Sequence, residues 1–194
     1  YFNNLKIVNN NGVIVSGSGV DIKKFYFKPL IKERKKIYIT MISRLIFDKG
    51  VREYVLASQM VLKQKKNVIF NLIGDIDYDN KSSISKEELN MWIEKKYINY
   101  YGFSENINKY IYESDCIVLP SYREGLSKIL IESCAMGRPI ITTDVPGCKE
   151  VVKENYNGFL CKPKNAKDLF LKLLLFINLS MQKKNELSKN SSKL

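Results

Sequence analysis

The chain has 194 residues, 45% of them hydrophobic and 11% aromatic, so it can bury a core and does not have the composition of a disordered protein. It contains no histidine, which excludes a Ser-His-Asp triad, a Cys-His pair and a histidine-ligated metal within this chain. The formal net charge is +12, and the first residue is Tyr1 rather than Met, which indicates a trimmed N-terminus or a fragment.

The charge excess is carried mainly by scattered lysine, whereas nucleic-acid recognition leans on arginine and on clustered basic residues. We therefore expect no nucleic-acid partner; a phosphorylated ligand or an anionic lipid surface explains the charge as well. The four cysteines are widely spaced and are expected to be buried, reduced thiols of a cytosolic protein: Cys116, Cys134, Cys148 and Cys161. No signal peptide or membrane-spanning run is evident. The expected location is the cytoplasm, with the inner face of the plasma membrane as a candidate peripheral site.

Residues 1–36 precede the regular part of the sequence and are predicted to form an interdomain linker. The segment Gly17-Ser18-Gly19 contains a Gly-x-Gly pair, which by itself is weak evidence of a site. No third glycine follows at the dinucleotide-binding spacing, and no downstream acid is placed as expected. A dehydrogenase-type dinucleotide domain is therefore disfavoured.

From residue 37 onward, apolar strands alternate with amphipathic helices. Strands are predicted at 37–42, 68–73, 98–101, 116–119, 139–143 and 159–161. Helices are predicted at 51–65, 85–97, 104–113, 129–136, 149–153 and 165–178. This alternation predicts an α/β fold, a Rossmann-like parallel sheet with helices on both faces, in a domain spanning 37–180. Residues 181–194 are predicted to form an exposed, incomplete basic helix or tail.

The stretch from Ser121 to Glu132 is the strongest candidate site. A strand-like run ends at Pro120, and a helix-like run begins near Ile129. In open α/β sheets, ligands bind at the carboxyl ends of the strands, and a helix N-terminus favours an anion there.

A second strand end, from Ser43 to Gly50, repeats this arrangement with Arg44 and Lys49 just before a helix. Parallel strands bring their carboxyl ends to one edge, so both segments are expected to open onto the same crevice. Two cations beside a helix start predict a phosphate or diphosphate clamp, with two solvated surface charges as the simpler alternative.

Glu124 and Glu132 are eight positions apart, which on one helix corresponds to about 12 Å along the axis. That separation is too long for a glycosidase-like carboxylate pair, for which about 5–9.5 Å is expected. It suits two carboxylates that hold two parts of a long polyhydroxylated ligand. An ordinary exposed helical pair is the alternative.

The acids of Asp75-Ile76-Asp77, with Asp79 nearby, resemble an Asp-x-Asp metal pair. Because they follow a glycine inside a loop rich in Asn and Ser, we interpret them as a solvated polar loop. No metal site is predicted.

These residues together resemble the C-terminal, donor-binding half of a retaining group-1 (family 4) glycosyltransferase of the two-domain GT-B architecture, of the bacterial capsule, O-antigen or surface-glycan type. The resemblance rests on an ordered set of segments that spans nearly the whole chain. The segments are 17–21 with Phe25, 43–50, 73–75, 101–103, 119–132, 137–139, 144–147, Glu150 and 157–159. Ser127 departs from the pattern, because some relatives carry Pro and others Gly there.

The resemblance implies roles for individual residues. Arg44 and Lys49 would contact the donor diphosphate, Glu124 would lie beside the transferred sugar, and Glu132 would hold the ribose hydroxyls. Backbone N–H groups from Gly125, Leu126 and Ser127 would bind the sugar and diphosphate. The strand-end glycines Gly74 and Gly102 are included among the donor-binding residues.

The resemblance also implies a function: binding of a nucleotide-diphosphate sugar, most simply a UDP-sugar, for retaining, metal-independent hexosyl or N-acetylhexosaminyl transfer. The acceptor would be a saccharide or lipid-linked saccharide, bound by an N-terminal domain absent from this chain. No cofactor is expected beyond the donor substrate, and the chain alone would bind donor without transfer. A nucleotide-binding or regulatory module without transferase activity remains the alternative.

Overall fold

The computed structural model describes residues 19–31 and 34–193. Gly17 and Ser18 of the Gly-x-Gly segment, like most of the predicted linker, lie outside these residues. Gly19, the last residue of that segment, has a φ of 68° in the left-handed region.

Six parallel strands form one sheet in the order β3-β2-β1-β4-β5-β6. The strands are β1 (Ile37–Ile42), β2 (Val68–Ile73), β3 (Asn99–Tyr100), β4 (Cys116–Leu119), β5 (Ile140–Thr143) and β6 (Gly158–Cys161). The order builds outward in one direction from β1 to β3 and in the other from β4 to β6. The chain therefore reverses its direction of winding between β1 and β4, which is where doubly wound sheets open a crevice.

Six α-helices accompany the strands within the described residues. They are α1 (Val51–Gln64), α2 (Lys86–Glu94), α3 (Ile107–Glu113), α4 (Lys128–Ala135), α5 (Ala166–Asn178) and α6 (Met181–Ser191). A 3-10 turn at Phe47–Lys49 precedes α1. The side chain of Ser85 caps α2 by accepting a hydrogen bond from the Glu88 N–H.

The core lies on both faces of the sheet, because the central strands are apolar at nearly every position. Ile39 and Met41 of β1 and Ile117 of β4 are completely buried. A strand covered on both faces reads as a continuous apolar run, which is why the sequence pattern identified these strands. The predicted α/β fold is confirmed.

Several element boundaries differ from the prediction. The expected helix at 149–153 is a series of turns, α3 begins at Ile107 rather than 104, and β3 is two residues long. Ser104 accepts a local hydrogen bond from the Asn106 N–H at 3.2 Å, which supports a turn before α3 instead of another helical turn.

The C-terminal segment is also more integrated than predicted. It forms α6, and one face of this helix is buried through Lys184, Leu187, Ser188 and Ser191. Ser191 Oγ donates to the Arg138 carbonyl at 2.8 Å, so hydrogen bonding, together with the buried Leu187 side chain, allows this face to pack. The helix predicted for this segment is present, but the prediction that it is exposed is wrong for its buried face. Its assignment as a unit separate from 37–180 stays a prediction.

All four cysteines are buried and free, as predicted. Within the part of the chain that the structure describes, no helix is both long and apolar enough to cross a membrane.

Candidate active site

The carboxyl ends of β1 and β4 meet at the switch point of the sheet. The turn after β1 is held against the segment after β4, since Gly50 packs on the Pro120 carbonyl and a Cβ at residue 50 would overlap it. Gly50 has a φ of 73°, a conformation that glycine adopts without strain. The predicted meeting of the two segments at one edge of the sheet is confirmed, whereas a ligand crevice lined by both stays a prediction.

Lys49 and Glu124 form an ion pair across this switch point. Lys49 Nζ lies 2.6 Å from Glu124 Oε1, and their side chains are 20% and 10% exposed, respectively. A pair this sheltered is screened less than a surface pair, so its electrostatic coupling is stronger. The two residues that sequence reasoning placed beside the diphosphate and the sugar are thus in direct contact here.

Glu124 does not lie on a helix. It belongs to the loop 120–127, and α4 begins only at Lys128. The helical rise used to estimate its separation from Glu132 therefore does not apply, and the estimate of about 12 Å loses its basis. The two glutamates remain on one segment, but a turn connects them.

Residues 120–127 form the loop that carries Glu124, named the Glu124 loop. The turn after β5 contacts this loop and holds it in place. The Ser127 N–H donates to the Gly147 carbonyl at 3.2 Å, and Thr143 Oγ1 donates to the Ser121 carbonyl. Gly147 has a φ of 82°, and a Cβ there would overlap the Gly125 carbonyl oxygen. The backbone of the Glu124 loop is therefore fixed by close packing against Gly147.

The three residues predicted to offer amides to a ligand have different surroundings. Gly125 is exposed, with open space where a side chain would be. Leu126 lines a largely apolar cavity of about 500 Å³ together with Ile131 and Val151. Ser127 is the N-cap of α4, but its side chain makes no capping hydrogen bond, and its N–H is engaged by Gly147. In this structure the Ser127 amide is thus occupied, which differs from the expectation.

Glu132 lies on α4 and contributes to a second part of the site, a cavity of about 560 Å³. The cavity is also lined by Asp21, Lys24, Phe103 and Lys128. The Glu132 side chain is 5% exposed, and its nearest cation is Lys128 at 3.8 Å. Burial raises the pKa of the Glu132 carboxyl, although Lys128 and Lys24 oppose the shift. A carboxylate held this way would gain from ligand hydroxyl donors.

Arg44 lies at the end of β1, and its side chain is 63% exposed. Its Nη1 lies 2.8 Å from Asp77 Oδ2, so the acid that resembled half of a metal pair is a partner of Arg44. Asp75 and Asp79 are exposed, in line with the predicted polar loop. Within the described ranges, no group of three or more Cys, Asp or Glu side chains is placed to hold a metal ion.

Gly74 and Gly102 connect the ends of β1, β2 and β3. The Gly74 N–H donates to the Gly102 carbonyl at 2.8 Å, and a Cβ on Gly74 would overlap the Ser43 carbonyl. Gly102 has a φ of 68° and open space around it. Tyr100 donates from its hydroxyl to the Gly74 carbonyl at 3.0 Å. Gly74 is thus required for the packing of the strand ends, whatever it contributes to a ligand.

Sequence reasoning did not identify several residues that the fold brings to this edge. Lys24 reaches the Glu132 cavity from the segment before the sheet, and nothing in the local pattern indicates this. Lys128 could have been found, because it lies four positions before Glu132 on the same helix. Tyr122 was overlooked although it lies two residues before Glu124; its hydroxyl donates to Glu53 Oε1 at 2.7 Å.

Comparison with known proteins agrees with this geometry. The profile of the family described as glycosyl transferases group 1 matches residues 22–194. A curated relative from Campylobacter jejuni, N,N'-diacetylbacillosaminyl-diphospho-undecaprenol alpha-1,3-N-acetylgalactosaminyltransferase, is 32% identical over 188 residues, covering 91% of this chain and 48% of that protein. The chain thus spans about half the length of that relative.

Solved structures show the same fold. The C-terminal domain of the group 1 glycosyl transferase LpcC from Francisella tularensis aligns with a TM-score of 0.73 at 22% identity, covering 90% of this chain and 95% of that domain. Anabaena HepE, solved with UDP and glucose, aligns with a TM-score of 0.77 at 20% identity over 91% of this chain and half of that one. The fold is that of a GT-B C-terminal domain, and the chain belongs to the group 1 glycosyltransferase family.

Proposed function

We propose that this chain is the donor-binding domain of a glycosyltransferase that uses a nucleotide-diphosphate sugar, with a UDP-sugar as the favoured donor. The observation that carries the proposal is the meeting of Lys49 and Glu124 at the switch point, beside the start of α4. A cation, a carboxylate and a helix N-terminus together suit a ligand with both phosphate and hydroxyl groups. HepE, which shares the fold, was solved with UDP and glucose, and this supports the choice of UDP.

The donor is proposed to lie along the crevice with its diphosphate near the end of β1. Lys49 and Arg44 would then exchange their carboxylate partners for phosphate oxygens. Glu124, released from Lys49, would accept hydrogen bonds from the sugar hydroxyls, and Glu132 would accept them from the ribose. Each acid would thus meet hydroxyl donors in the bound state.

The proposed reaction breaks the bond between the anomeric carbon of the sugar and the diphosphate oxygen, and forms a bond from that carbon to an acceptor hydroxyl. Negative charge develops on the departing diphosphate. Arg44, Lys49 and the amides near Gly125 would stabilise this charge, as fixed donors do in other transfer enzymes. We propose that these cations supply the positive charge without a metal ion, and that the anomeric configuration is retained.

The acceptor is proposed to be a saccharide or a lipid-linked saccharide of a bacterial surface polysaccharide. The Campylobacter jejuni relative is named for a diphospho-undecaprenol-linked acceptor, which supports this class. An N-terminal domain would bind the acceptor, so we expect the 194-residue chain to bind donor without transferring it. We propose a cytoplasmic location, with peripheral association at the inner membrane face.

A thermal-shift panel of UDP-, GDP- and ADP-sugars tests the choice of donor. A ligand at one hundred times its dissociation constant stabilises a folded protein by about 2.7 kcal/mol, which is readily measured as a rise in unfolding temperature. We expect UDP-sugars to give the largest rise. A panel in which no nucleotide sugar raises the unfolding temperature would contradict the proposal.

A regulatory nucleotide-binding module is the second candidate, since the Lys49–Glu124 pair could serve only to hold two turns together. The two functions differ in the role of Glu124. With an acceptor-binding domain present, Glu124→Gln should abolish sugar transfer while UDP still binds if the protein is a transferase. Wild-type protein that binds UDP but transfers sugar to no lipid-linked acceptor extract would favour the module.

A further inference from the structure

Two clasps join the turn at the start of α1 to the Glu124 loop. The outer clasp is the Lys49–Glu124 ion pair. The inner clasp is the hydrogen bond from the Tyr122 hydroxyl to Glu53 Oε1, at 2.7 Å. Tyr122 also donates its N–H to the Asp48 carbonyl at 2.8 Å, so both its backbone and its side chain are tied to the same turn.

The two clasps differ in what a ligand would do to them. This distinction rests on the proposed function, in which Lys49 leaves Glu124 to bind phosphate and the outer clasp opens. The inner clasp consists of groups to which no ligand role is assigned. Glu53 lies in the first turn of α1, shortly after Lys49, and Tyr122 lies shortly before Glu124 in the loop.

A glutamate at position 53 would be unfavourable if the side chain served only packing. Its Oε2 is the only buried side-chain oxygen or nitrogen without a hydrogen-bond partner among the described residues. An unpartnered buried acceptor costs roughly 1–3 kcal/mol, which an apolar side chain would avoid. The first turn of α1 offsets part of this cost, because a carboxylate is favoured at a helix N-terminus. What the carboxylate provides here is an acceptor for Tyr122.

The surroundings of Tyr122 favour its role as the hydrogen-bond donor in this contact. Burial, followed by the hydrogen bond to Glu53, raises the pKa of its hydroxyl, which therefore stays protonated and donates. Lys164 Nζ lies over the Tyr122 ring, 5.0 Å from its centre. The ring is thus held by a cation and the hydroxyl by an anion.

We propose that Tyr122 and Glu53 are positioning residues, whose hydrogen bond keeps the Glu124 loop at the switch point when Lys49 exchanges Glu124 for ligand. Neither side chain needs to touch the ligand. They keep Glu124 in the same position after Lys49 has exchanged it for ligand. Donor binding therefore does not require the loop to be ordered again. Ordering a loop on binding would reduce affinity.

Hydrogen exchange in the ligand-free chain tests the clasp directly. The reporters are the Tyr122 and Ser127 amides, which are bonded to Asp48 and Gly147. In a Lys49→Ala background, where the outer clasp is absent, the loop should remain protected. Adding Tyr122→Phe should accelerate exchange of these amides about tenfold, the effect of losing one hydrogen bond to a charged group.

Three variants separate positioning from general stability. Glu53→Gln keeps an acceptor for Tyr122 and should preserve protection, whereas Glu53→Leu removes the acceptor and should behave like Tyr122→Phe. The matched control is Tyr54→Phe, since the Tyr54 hydroxyl donates to the Ile39 and Asn71 carbonyls inside the core. Tyr54→Phe should lower the unfolding temperature without selectively exposing the Glu124 loop.

UDP affinity gives the functional readout. Tyr122→Phe and Glu53→Leu should weaken UDP binding about tenfold, while Tyr54→Phe and Glu53→Gln should change it less than threefold. Equal loop exchange in Tyr122→Phe and Tyr54→Phe, or loop exchange unaltered by Tyr122→Phe, would overturn the inference. If wild-type chain binds no nucleotide, the proposed function fails, and the exchange data on ligand-free chain still decide whether the clasp exists.

Discussion

Charged side chains at the amino-terminal ends of the strands (the amino edge) have different partners from those at the carboxyl-terminal ends (the carboxyl edge). At the amino edge, the Arg138 guanidinium is completely buried and donates to four carbonyls, those of Lys28, Tyr112, Ser114 and Met136. At the carboxyl edge, Arg44 is largely exposed and holds a single carboxylate, that of Asp77. The first arginine has no capacity left for a ligand, whereas the second can exchange its partner.

The acids show the same contrast. Asp115, at the amino edge, accepts from the Tyr38 N–H at 2.7 Å beneath the sheet. Lys184 is also buried there and donates to the Ile177 carbonyl at 3.0 Å. At the other edge, Glu132 lines a cavity and has only Lys128 nearby, at 3.8 Å. A buried charge that is hydrogen-bonded to the backbone supports the fold, whereas a carboxylate beside a cavity whose nearest cation is 3.8 Å away is available to a ligand.

Replacement of the two arginines gives the largest expected difference between the edges. Arg138→Met leaves buried carbonyls without donors and should lower the free energy of unfolding by about 3–5 kcal/mol. Arg44→Met removes a surface ion pair and should lower it by less than about 1 kcal/mol. Urea denaturation followed by circular dichroism measures both, and similar losses would contradict the division into two edges.

The glycines of the carboxyl edge provide the next test. Gly147→Ala should cost at least about 2 kcal/mol, because it strains a residue at a φ of 82° and forces the Gly125 backbone away. It should also weaken UDP binding by moving the Glu124 loop. The matched control, Gly102→Ala, has a similar φ but open space, so about 1 kcal/mol is expected. Equal costs would show that the packing of Gly147 on Gly125 is unimportant.

Glu132→Gln should have a smaller effect, with opposite signs for stability and binding. Burial raises the pKa of this carboxyl, so its charged form costs folded-state stability at neutral pH. Removing the charge should raise the free energy of unfolding at pH 7, while UDP affinity falls about tenfold.

The pH dependence of that stabilisation checks its cause. The cost of the Glu132 charge is complete above the raised pKa, declines as pH falls through it, and is absent below the ordinary value of 4.5. The difference between Glu132→Gln and wild type, measured by denaturation from pH 8 to pH 4, should therefore shrink with falling pH. A difference that is constant across this range would contradict a charge-based origin.

The central sheet was predictable because its strands are apolar on both faces and their helices have clear periodicity. The burial of the C-terminal helix was misjudged for the opposite reason. Lys184 and Ser191 are polar, yet they are buried because their side chains donate to backbone carbonyls, those of Ile177 and Arg138. Pattern reasoning identifies apolar burial but not burial that depends on distant hydrogen-bond partners.

The site was predictable to a similar extent. Arg44 and Lys49 follow β1 in sequence, and the Glu124 loop follows β4, so a parallel sheet places them on one edge. Their partners depend on tertiary geometry that no spacing encodes: Lys49 with Glu124, Arg44 with Asp77. The assumption that Glu124 belongs to the following helix failed because α4 begins only after Ser127.

Isothermal calorimetry with UDP tests most directly whether the carboxyl-edge cations bind the donor. The comparison is wild type, Arg44→Ala with Lys49→Ala, and a control with the same change in charge, Lys63→Ala with Lys66→Ala, two exposed lysines near the end of α1. We predict that the first double variant weakens UDP binding at least about 100-fold, since two charge-assisted hydrogen bonds are lost. The control should change affinity less than about threefold. Equal affinities for all three proteins, or equal weakening in both double variants, would contradict the assignment of Arg44 and Lys49 to the diphosphate.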